Sequence, residues 1–418
     1  MKELLLEDGQ YPCSLRIGRS KAGAELTLAG STAPGGPICK LPDTRTPADQ
    51  TGTGLRVPGR IEHLAVMHGR LRTNHDVVLL DADIRPFLLG TGAVRAQTAL
   101  CGLRIPVRGQ PRFTTARFQV AGLTELAGTR PLKVEFPGPQ ARVEQYRVAF
   151  QDVDQQWHAT GGDRIELSWE HPQVTVTGRP RTAQDWLEDY VRPIAQVTGF
   201  ALTAQPTVAW VELSTGEPGR SCTVQVFAPD ITQQPYQAAE PHPNTLPLLT
   251  LAPGGADLPG LLAYWQAARG RPDSFAGWMQ AAVGETETRT RFLGLMLALQ
   301  CRYQTREDKG KPPPLGVQLR TLAEVLPPGL HKVVRERFAQ LPQLHKVLPP
   351  DTKPLDAWAV MGKIRNNLSH PGPPPTPAHL ASLTCLAHTL AAVLTLKDLG
   401  LPSGPLEQAV QHGVWKVL

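Results

Sequence analysis

The sequence predicts a multidomain β + α fold, with an N-terminal antiparallel β-domain of sandwich or barrel type followed by a C-terminal all-α helical bundle. Two observations lead to this fold class. In residues 1–200, short segments alternate apolar and polar side chains between Gly, Pro, Asn or Asp, which is typical of strands joined by turns. From residue 258 onward, apolar residues recur with a helical period of about 3.6 residues. The chain has 418 residues, enough to bury two cores.

The β-domain is predicted to span residues 1–235. Its strand segments are AELTLAG, HDVVLLDADI, LKVEFPG, RVEQYRVAFQDV, DRIELSWEH and QVTVTG, followed later by PTVAWVEL and CTVQVFAP. Between these two groups a helix is expected near 182–198, with Thr182 as its N-cap and Gly199 as its end. Large apolar side chains recur every four residues along this helix, at Trp186, Tyr190 and Ile194.

Residues 236–257 are rich in Pro, Gln and small residues and are predicted to be a linker. The helical domain is predicted to span residues 258–418. Its helices are expected at 258–269, 272–282, 286–305, 315–326, 329–341, 355–369, 377–399 and 404–415. One apolar stripe with alternating spacings of three and four runs through Leu380, Leu383, Ala387, Leu390 and Leu394. This stripe is expected to lie in the core or at a dimer seam.

Cysteine usage and hydropathy indicate a reduced, cytoplasmic protein. The six cysteines lie far apart, with no C-x-x-C pair and no metal-binding arrangement with His. The N-terminus lacks the apolar core of a signal peptide, and the longest apolar runs are too short to span a membrane. The net charge of +6 falls in residues 256–418, with 18 Lys and Arg against 12 Asp and Glu. A polyanionic partner is compatible with this charge, although a solvated surface is the simpler explanation.

The segment KIRNNLSHPG, residues 363–372, is the main candidate site. It places Arg365 five residues before His370, although with 31 Arg and 12 His in the chain about one such spacing arises by chance. Because Pro371 disfavours the α region for the residue before it, the helix is expected to unwind at His370 and let the imidazole approach the arginine. The helix C-terminus also favours a charged imidazole. The same residues also fit a structural role, in which His370 caps the helix.

This segment resembles the R-N-x-x-x-H motif of HEPN-domain ribonucleases, in which an Arg, a polar residue and a His lie at the end of a helix in an all-α bundle. The flanking segments TRFLGLMLALQCRY and HLASLTCLAHTLAAVLTLKDLGL resemble the Apea-like HEPN layout. The N-terminal segments DGQYPCSLRIGRSKAGAELTLAG and IEHLAVMHGRLRTNHDVVLLDA resemble the β-domain of ApeA-type anti-phage abortive-infection proteins. Family members often carry a glutamate near the position where this chain has Gln300. The supporting role of an acidic side chain there is therefore not matched in this sequence.

The resemblance implies metal-independent cleavage of RNA, with tRNA anticodon loops as substrate, to 2′,3′-cyclic phosphate and 5′-hydroxyl ends. His370 is then the residue that exchanges protons, Arg365 binds the phosphate, and Asn366 forms a hydrogen bond that orients either the histidine or the phosphate. Lys363 and Asn367 are the predicted substrate-binding residues. No metal or other cofactor is expected.

The resemblance also implies a homodimer. One chain offers a single convincing His, whereas the reaction uses an acid and a base together, so two copies are expected to form a composite cleft from the helices at 355–370 and 377–399. The β-domain then senses a phage-derived trigger and restrains a cytoplasmic toxin. No membrane partner is expected.

Two other functions remain open. The same fold could be a non-catalytic RNA- or protein-binding module, with Arg365 and His370 as phosphate contacts. The chain could also be a β-sandwich binding protein with a helical dimerisation tail.

Some further polar residues are expected to be structural. Asp81 and Asp83 share a strand face and could hold a divalent ion, but acidic residues at a strand end usually belong to a turn, and no third ligand is visible. The histidines of the 377–399 helix, His379 and His388, are expected to be surface or packing residues.

Overall fold

The computed structural model of the protein shows strands followed by helices, which confirms the predicted β-then-α layout. The structure describes residues 2–6, 13–17, 24–28, 62–71, 75–86, 92–102, 110–136, 142–149, 155–159, 161–168, 173–202, 207–215, 222–231, 247–251, 256–269, 271–285, 287–304, 312–324, 326, 328–329, 331–332, 357–370 and 375–400. The helix predicted at 404–415 lies outside these residues, and so does most of the one predicted at 329–341.

Six N-terminal strands close into a ring. They are β1 (Lys2–Leu6), β2 (Cys13–Ile17), β3 (Ala24–Leu28), β4 (Glu62–Leu71), β5 (Asp76–Pro86) and β6 (Gly92–Gly102). The ring order is β1, β2, β3, β6, β5, β4 and back to β1, with every pair antiparallel. Strand β6 closes it, because one edge pairs with β3 and the other pairs with β5 over its whole length. A closed ring of strands is a barrel, one of the two predicted architectures.

Six further strands extend the sheet from the remaining half of the β6 edge. They are β7 (Arg112–Val120), β10 (Gln155–His158), β11 (Arg164–Ser168), β12 (Gln173–Thr182), β13 (Val208–Ser214) and β14 (Thr223–Phe227). Starting from β6, the order is β14, β13, β7, β12, β11, β10, and all pairs are antiparallel. Strands β8 (Thr129–Phe136) and β9 (Arg142–Ala149) form a separate hairpin after the short helix α1 (Leu123–Leu126).

The extension is apolar on one face, as the alternating pattern predicts. Every second residue is buried on several strands, as at Phe118 and Val120, Ile165 and Leu167, and Val174 and Val176. This face is covered by an unbroken helix in three parts: α2 (Ala183–Trp186), a π-helical turn (Leu187–Val191) and α3 (Arg192–Leu202). Its stripe of Trp186, Tyr190 and Ile194 is buried. Thr182 is the N-cap, accepting a hydrogen bond from the Asp185 N–H at 3.2 Å, which confirms the predicted start.

The π-helical turn has a local cause in Pro193. Proline has no N–H, and its ring crowds the carbonyl four residues earlier, which here belongs to Asp189. A wider turn before the proline relieves this crowding. The Asp189 carbonyl accepts a hydrogen bond from Gln266 Nε2 instead, at 2.7 Å. Pro193 thus leaves the Asp189 carbonyl available for a hydrogen bond that links this helix to α4 of the helical region.

The predicted helix end at Gly199 is wrong. Helix α3 continues to Leu202, and Phe200 and Ala201 are completely buried. A glycine inside a helix costs about 1 kcal/mol relative to alanine. Burying a phenylalanine side chain contributes about 1.5–3 kcal/mol, so packing of the last turn outweighs the glycine.

The helical region contains α4 (Leu258–Arg269), α5 (Phe275–Gly284), α6 (Thr288–Gln304), α7 (Leu315–Glu324), α8 (Ala357–Ser369) and α9 (Pro377–Asp398). Each matches a predicted helix within about three residues at either end, the usual uncertainty of helix boundaries. Helix α9 packs against α6. Its stripe from Leu380 to Leu394 is buried within the single chain, so the stripe belongs to the core.

Helix α9 also contains the segment His379–Asp398. Although the apolar runs were expected to be too short to span a membrane, this is, among the described residues, the one helical segment long and apolar enough to cross one by length and composition. Its most apolar window is 72% buried inside the protein.

Part of the predicted linker packs against the β-domain. The Leu248 N–H donates to the Ala201 carbonyl at 2.6 Å, and the Leu251 N–H donates to the Leu126 carbonyl at 2.8 Å. Both leucine side chains are buried. One continuous apolar core joins the sheet, α3 and the C-terminal helices.

Candidate functional site

Helix α8 carries the R-N-x-x-x-H segment, and its apolar side determines which residues face solvent. The buried side is formed by Val360, Met361, Ile364 and Leu368. At about 100° per residue, Lys363, Asn366 and His370 lie within about 60° of one another on the opposite side. All three are exposed. They form the exposed face of α8.

Arg365 and Asn367 flank this face and are half-buried. Arg365 Nη1 donates to Asn366 Oδ1 at 3.3 Å. Within the part of the chain that the structure describes, no carboxylate pairs with the Arg365 guanidinium and no side chain hydrogen-bonds to the His370 imidazole. The structure thus brings Arg365 and Asn366 together but forms no hydrogen bond between Arg365 and His370.

Helix α8 ends at Ser369 and His370 lies in a bend, so the chain does leave the helix at His370, but the predicted approach of the imidazole to Arg365 produces no hydrogen bond. The His370 N–H donates to the Asn366 carbonyl at 3.0 Å, and Ser369 Oγ donates to the Arg365 carbonyl at 3.0 Å. Pro371 restricts the backbone dihedral angles of His370 itself, whereas the position of the His370 N–H is set by the residues before it. This last helical hydrogen bond is therefore kept. The regular separation of about 140° between Arg365 and His370 is therefore kept.

Arg289 is a residue of this region that sequence reasoning missed. Its Nη2 donates to the Leu368 carbonyl at 2.7 Å, in the last turn of α8. A guanidinium at this position satisfies a terminal helix carbonyl and complements the negative end of the helix dipole. A signal was present in the sequence, because Arg289 and Arg291 occupy the first turn of α6 with no acidic residue, against the usual preference of a helix N-terminus.

The start of α6 also fixes a carboxylate nearby. Glu287 accepts hydrogen bonds from the Thr290 N–H at 2.7 Å and the Arg289 N–H at 3.3 Å. The hydrogen bonds from Thr290 hold the pKa of Glu287 below its usual value. The Glu287 carboxylate caps the N-terminus of α6 and forms no ion pair with Arg365 among the described residues.

Gln300, the residue that the resemblance to HEPN proteins singled out, lies on α6 about 11 residues beyond Arg289. At 1.5 Å per residue, this is about 16 Å along the helix from the contact with α8. Gln300 is therefore remote from the point where α6 contacts the last turn of α8.

The prediction that Asp81 and Asp83 belong to a turn is wrong. Both lie inside β5, and Asp81 adopts φ 51° there. His63 of β4 pairs with them, with Nδ1 3.0 Å from Asp83 Oδ1 and Nε2 3.9 Å from Asp81 Oδ1. The register of β4 against β5 places His63 directly opposite Asp83. Even so, no group of three ligands suited to a metal ion is present in the described residues.

His379 and His388 have structural roles on α9. His379 lies in the first turn, with Nδ1 2.9 Å from the Oγ1 of the N-cap Thr376. His388 is buried, as a packing residue should be. Burial, with a smaller effect from Arg291, lowers the pKa of His388 to about 3.

The low pKa of His388 predicts acid sensitivity. Between pH 6.5 and about 3 the unfolded chain binds a proton here that the folded chain does not, so the free energy of unfolding falls as the pH falls. The slope from this residue is up to about 1.4 kcal/mol per pH unit. Denaturant unfolding of the wild type and His388→Met at pH 7, 6 and 5 measures it. The wild type should lose stability relative to His388→Met as the pH falls, and parallel pH profiles contradict the prediction.

Comparisons of the chain with protein-family models, with curated proteins and with solved structures find no match.

Proposed function

We propose that this protein is a metal-independent HEPN-class endoribonuclease of a bacterial abortive-infection system. The observation that carries the proposal is the exposed face of α8. Lys363, Asn366 and His370 share that face, and Arg365 lies beside it with no carboxylate partner among the described residues. A guanidinium and an imidazole at an exposed helix end suit a phosphodiester substrate.

Each residue has a role in the proposed reaction. His370 accepts the proton of a ribose 2′-hydroxyl or returns one to the leaving 5′-oxygen. Arg365 binds the phosphate through its planar fork and offsets its developing charge. Asn366 orients Arg365, since its Oδ1 accepts from Nη1. Lys363 and Asn367 bind neighbouring parts of the RNA, for which a tRNA anticodon loop is the proposed source.

The proposal includes a homodimer through the helical region. No hydrogen bond joins Arg365 to His370 within one chain, and the reaction needs an acid and a base, so two exposed α8 faces are proposed to meet around one phosphate. The apolar stripe of α9 is occupied by the core. The dimer contact is therefore proposed to use the exposed face of α8 and the start of α9, where Thr376 and Pro377 are exposed.

A second candidate function is a non-catalytic RNA-binding module. The separation of His370 from Arg365 favours it, because phosphate contacts do not have to converge on one scissile bond. In both functions the β-domain is proposed to be the part that senses a trigger.

Expression in growing bacteria, with and without phage infection, tests the nuclease. Wild type is expected to arrest growth and to leave cellular RNA with 2′,3′-cyclic phosphate and 5′-hydroxyl ends. His370→Ala and Arg365→Ala are each expected to reduce these ends at least about 100-fold, the usual contribution of a proton-transferring group and of a group that offsets transition-state charge, respectively. Sequencing of RNA end groups measures the effect.

Matched controls are His158→Ala and Arg271→Ala, which replace exposed residues of the same types outside α8. Both are expected to behave like the wild type. Growth arrest that persists in His370→Ala and Arg365→Ala would exclude the nuclease. RNA binding without cleavage, weakened by the same two substitutions, would identify the binding module instead.

A further inference from the structure

The C-terminal end of α8 is the part of the proposed site where the backbone opposes a phosphate. Helix carbonyls place partial negative charge at this end, which repels an anion. Two of the terminal carbonyls accept hydrogen bonds from neutral donors of the same segment, Ser369 Oγ and the His370 N–H. The Leu368 carbonyl accepts instead from Arg289 Nη2 of α6, at 2.7 Å. Arg289 therefore adds a full positive charge to this end of α8.

The Arg289 guanidinium has further donors for a ligand. The residue is exposed, and its bond to Leu368 uses Nη2, whereas a guanidinium carries several N–H donors in a rigid fork. Within the described part of the chain no carboxylate forms an ion pair with this guanidinium. The Glu287 carboxylate accepts from the backbone N–H groups of Arg289 and Thr290. The hydrogen bonds from Thr290 lower the pKa of Glu287 most, and the Arg289 charge lowers it least.

Arg289 reaches the end of α8 that carries His370, about one turn beyond the backbone of Arg365. Arg365 precedes His370 by five residues, about 7.5 Å along the helix axis and 140° around it. Leu368 precedes His370 by two residues, so their Cα atoms are at most about 8 Å apart. The guanidinium bound to the Leu368 carbonyl thus lies at the same helix end as the imidazole. A single chain supplies this pair, unlike the pair of Arg365 and His370.

We propose that Arg289 is a phosphate-binding residue of this site, and that it binds the RNA phosphate next to His370. The proposal rests on the RNA-directed function proposed above. One N–H of Arg289 stays on the Leu368 carbonyl and fixes the side chain, while the others donate to phosphate oxygens. Because the side chain is already held, little conformational freedom is lost on binding.

The shape of the surface favours a nucleic acid strand over a single acidic side chain. Lys363 lies on the same exposed face of α8 as His370, about 10 Å further along the helix. Asn366 lies between them on that face. Arg289 and Lys363 can therefore contact separate phosphates of one strand, with the polar side chains between them close to the ribose.

Binding of an anticodon stem-loop RNA with 2′-O-methyl riboses tests the proposal, because this RNA lacks the attacking hydroxyl and is not cleaved. Arg289→Gln is expected to weaken binding at least about 10-fold, since a charge-assisted hydrogen bond to phosphate is lost. The slope of log affinity against log salt concentration should become shallower by about one. Fluorescence anisotropy at several salt concentrations measures both quantities.

A second variant separates phosphate binding from helix capping. Arg289→Lys keeps the charge and a donor for the Leu368 carbonyl but loses the planar fork. It is expected to keep the wild-type salt slope and to bind more tightly than Arg289→Gln. Arg271→Gln, which replaces an exposed arginine between α4 and α5, is the matched control and should bind like the wild type. Urea unfolding of each variant measures the contribution of the cap to stability.

The outcomes distinguish this proposal from the proposed function. Equal affinity and equal salt slope in Arg289→Gln and Arg271→Gln overturn the role of Arg289 and leave the proposed nuclease standing. Weaker binding by Arg289→Gln with an unchanged salt slope and a lower stability assigns Arg289 a structural role only, which also overturns it. A wild type that does not bind the RNA overturns both this proposal and the RNA-directed function.

Discussion

Replacing Asp163 by alanine is expected to lower the free energy of unfolding by about 3–5 kcal/mol. Asp163 is buried, its Oδ2 lies 2.5 Å from Arg181 Nη1, and the same oxygen accepts from the Tyr190 hydroxyl. The alanine leaves the buried Arg181 guanidinium with Asp189, at 3.8 Å, as its remaining ion-pair partner among the described residues. A buried cation that loses its close partner retains its full desolvation cost.

Several neighbouring residues accommodate the Asp163 carboxylate. The Arg181 guanidinium lies 5.1 Å from the centre of the Trp186 ring, a cation–π contact. Burial alone would lower the pKa of Arg181, but the Asp163 carboxylate raises it above its usual value. A Cβ at Gly178 would lie 1.9 Å from Asp163 Oδ1, so only glycine leaves room for the carboxylate there.

Urea unfolding followed by tryptophan fluorescence measures the effect. Glu166→Ala is the matched control, because Glu166 lies on the neighbouring β11 and forms a surface ion pair with Arg164. Its expected cost is at most about 1 kcal/mol. The double variant Asp163→Ala with Arg181→Met should recover much of the lost stability, because no buried charge remains. Equal costs for Asp163→Ala and Glu166→Ala would show that the buried pair has no special weight.

Replacing Gly316 by alanine is expected to destabilise the protein by about 1–3 kcal/mol, although alanine is the better helix former. A Cβ at Gly316 of α7 would lie 2.8 Å from Ala359 Cα and 2.9 Å from Ala359 N. These are backbone atoms of α8 and cannot rotate away. The methyl group therefore has to push α7 and α8 apart. Gly362 lies at the same contact, where a Cβ would be 3.1 Å from the Gly316 N.

Gly294→Ala is the matched control for this prediction. Gly294 lies inside α6, and the nearest atom to an added Cβ is the Ala282 Cβ at 3.8 Å. The same substitution should therefore stabilise the protein by up to about 1 kcal/mol, through helix propensity alone. Thermal unfolding of the two variants is expected to shift in opposite directions. A stabilising effect of Gly316→Ala would mean that α7 and α8 are packed less tightly than the structure shows.

Several local features were predictable from the sequence. The alternation of apolar residues located four of the six strands of the extended sheet, β11 to β14, but not β7 or β10. The capping residue Thr182 marked the start of its covering helix. The apolar stripe of α9 and the placement of Arg365 near the end of α8 also followed from helical periodicity. These features depend on hydrogen bonds and side-chain spacings within a few residues, which the order of amino acids specifies directly.

Other features required the tertiary structure. Strand β6 pairs with both β3 and β5, and no local pattern specifies which distant strands become neighbours. The bond from Arg289 to Leu368 joins two helices, and the contact between His63 and Asp83 depends on strand register. Gly199 stays helical because burial of Phe200 outweighs its local preference. Periodicity and capping thus determined where each element forms, whereas long-range packing decided which side chains meet, because contact between distant residues exists only once the elements assemble.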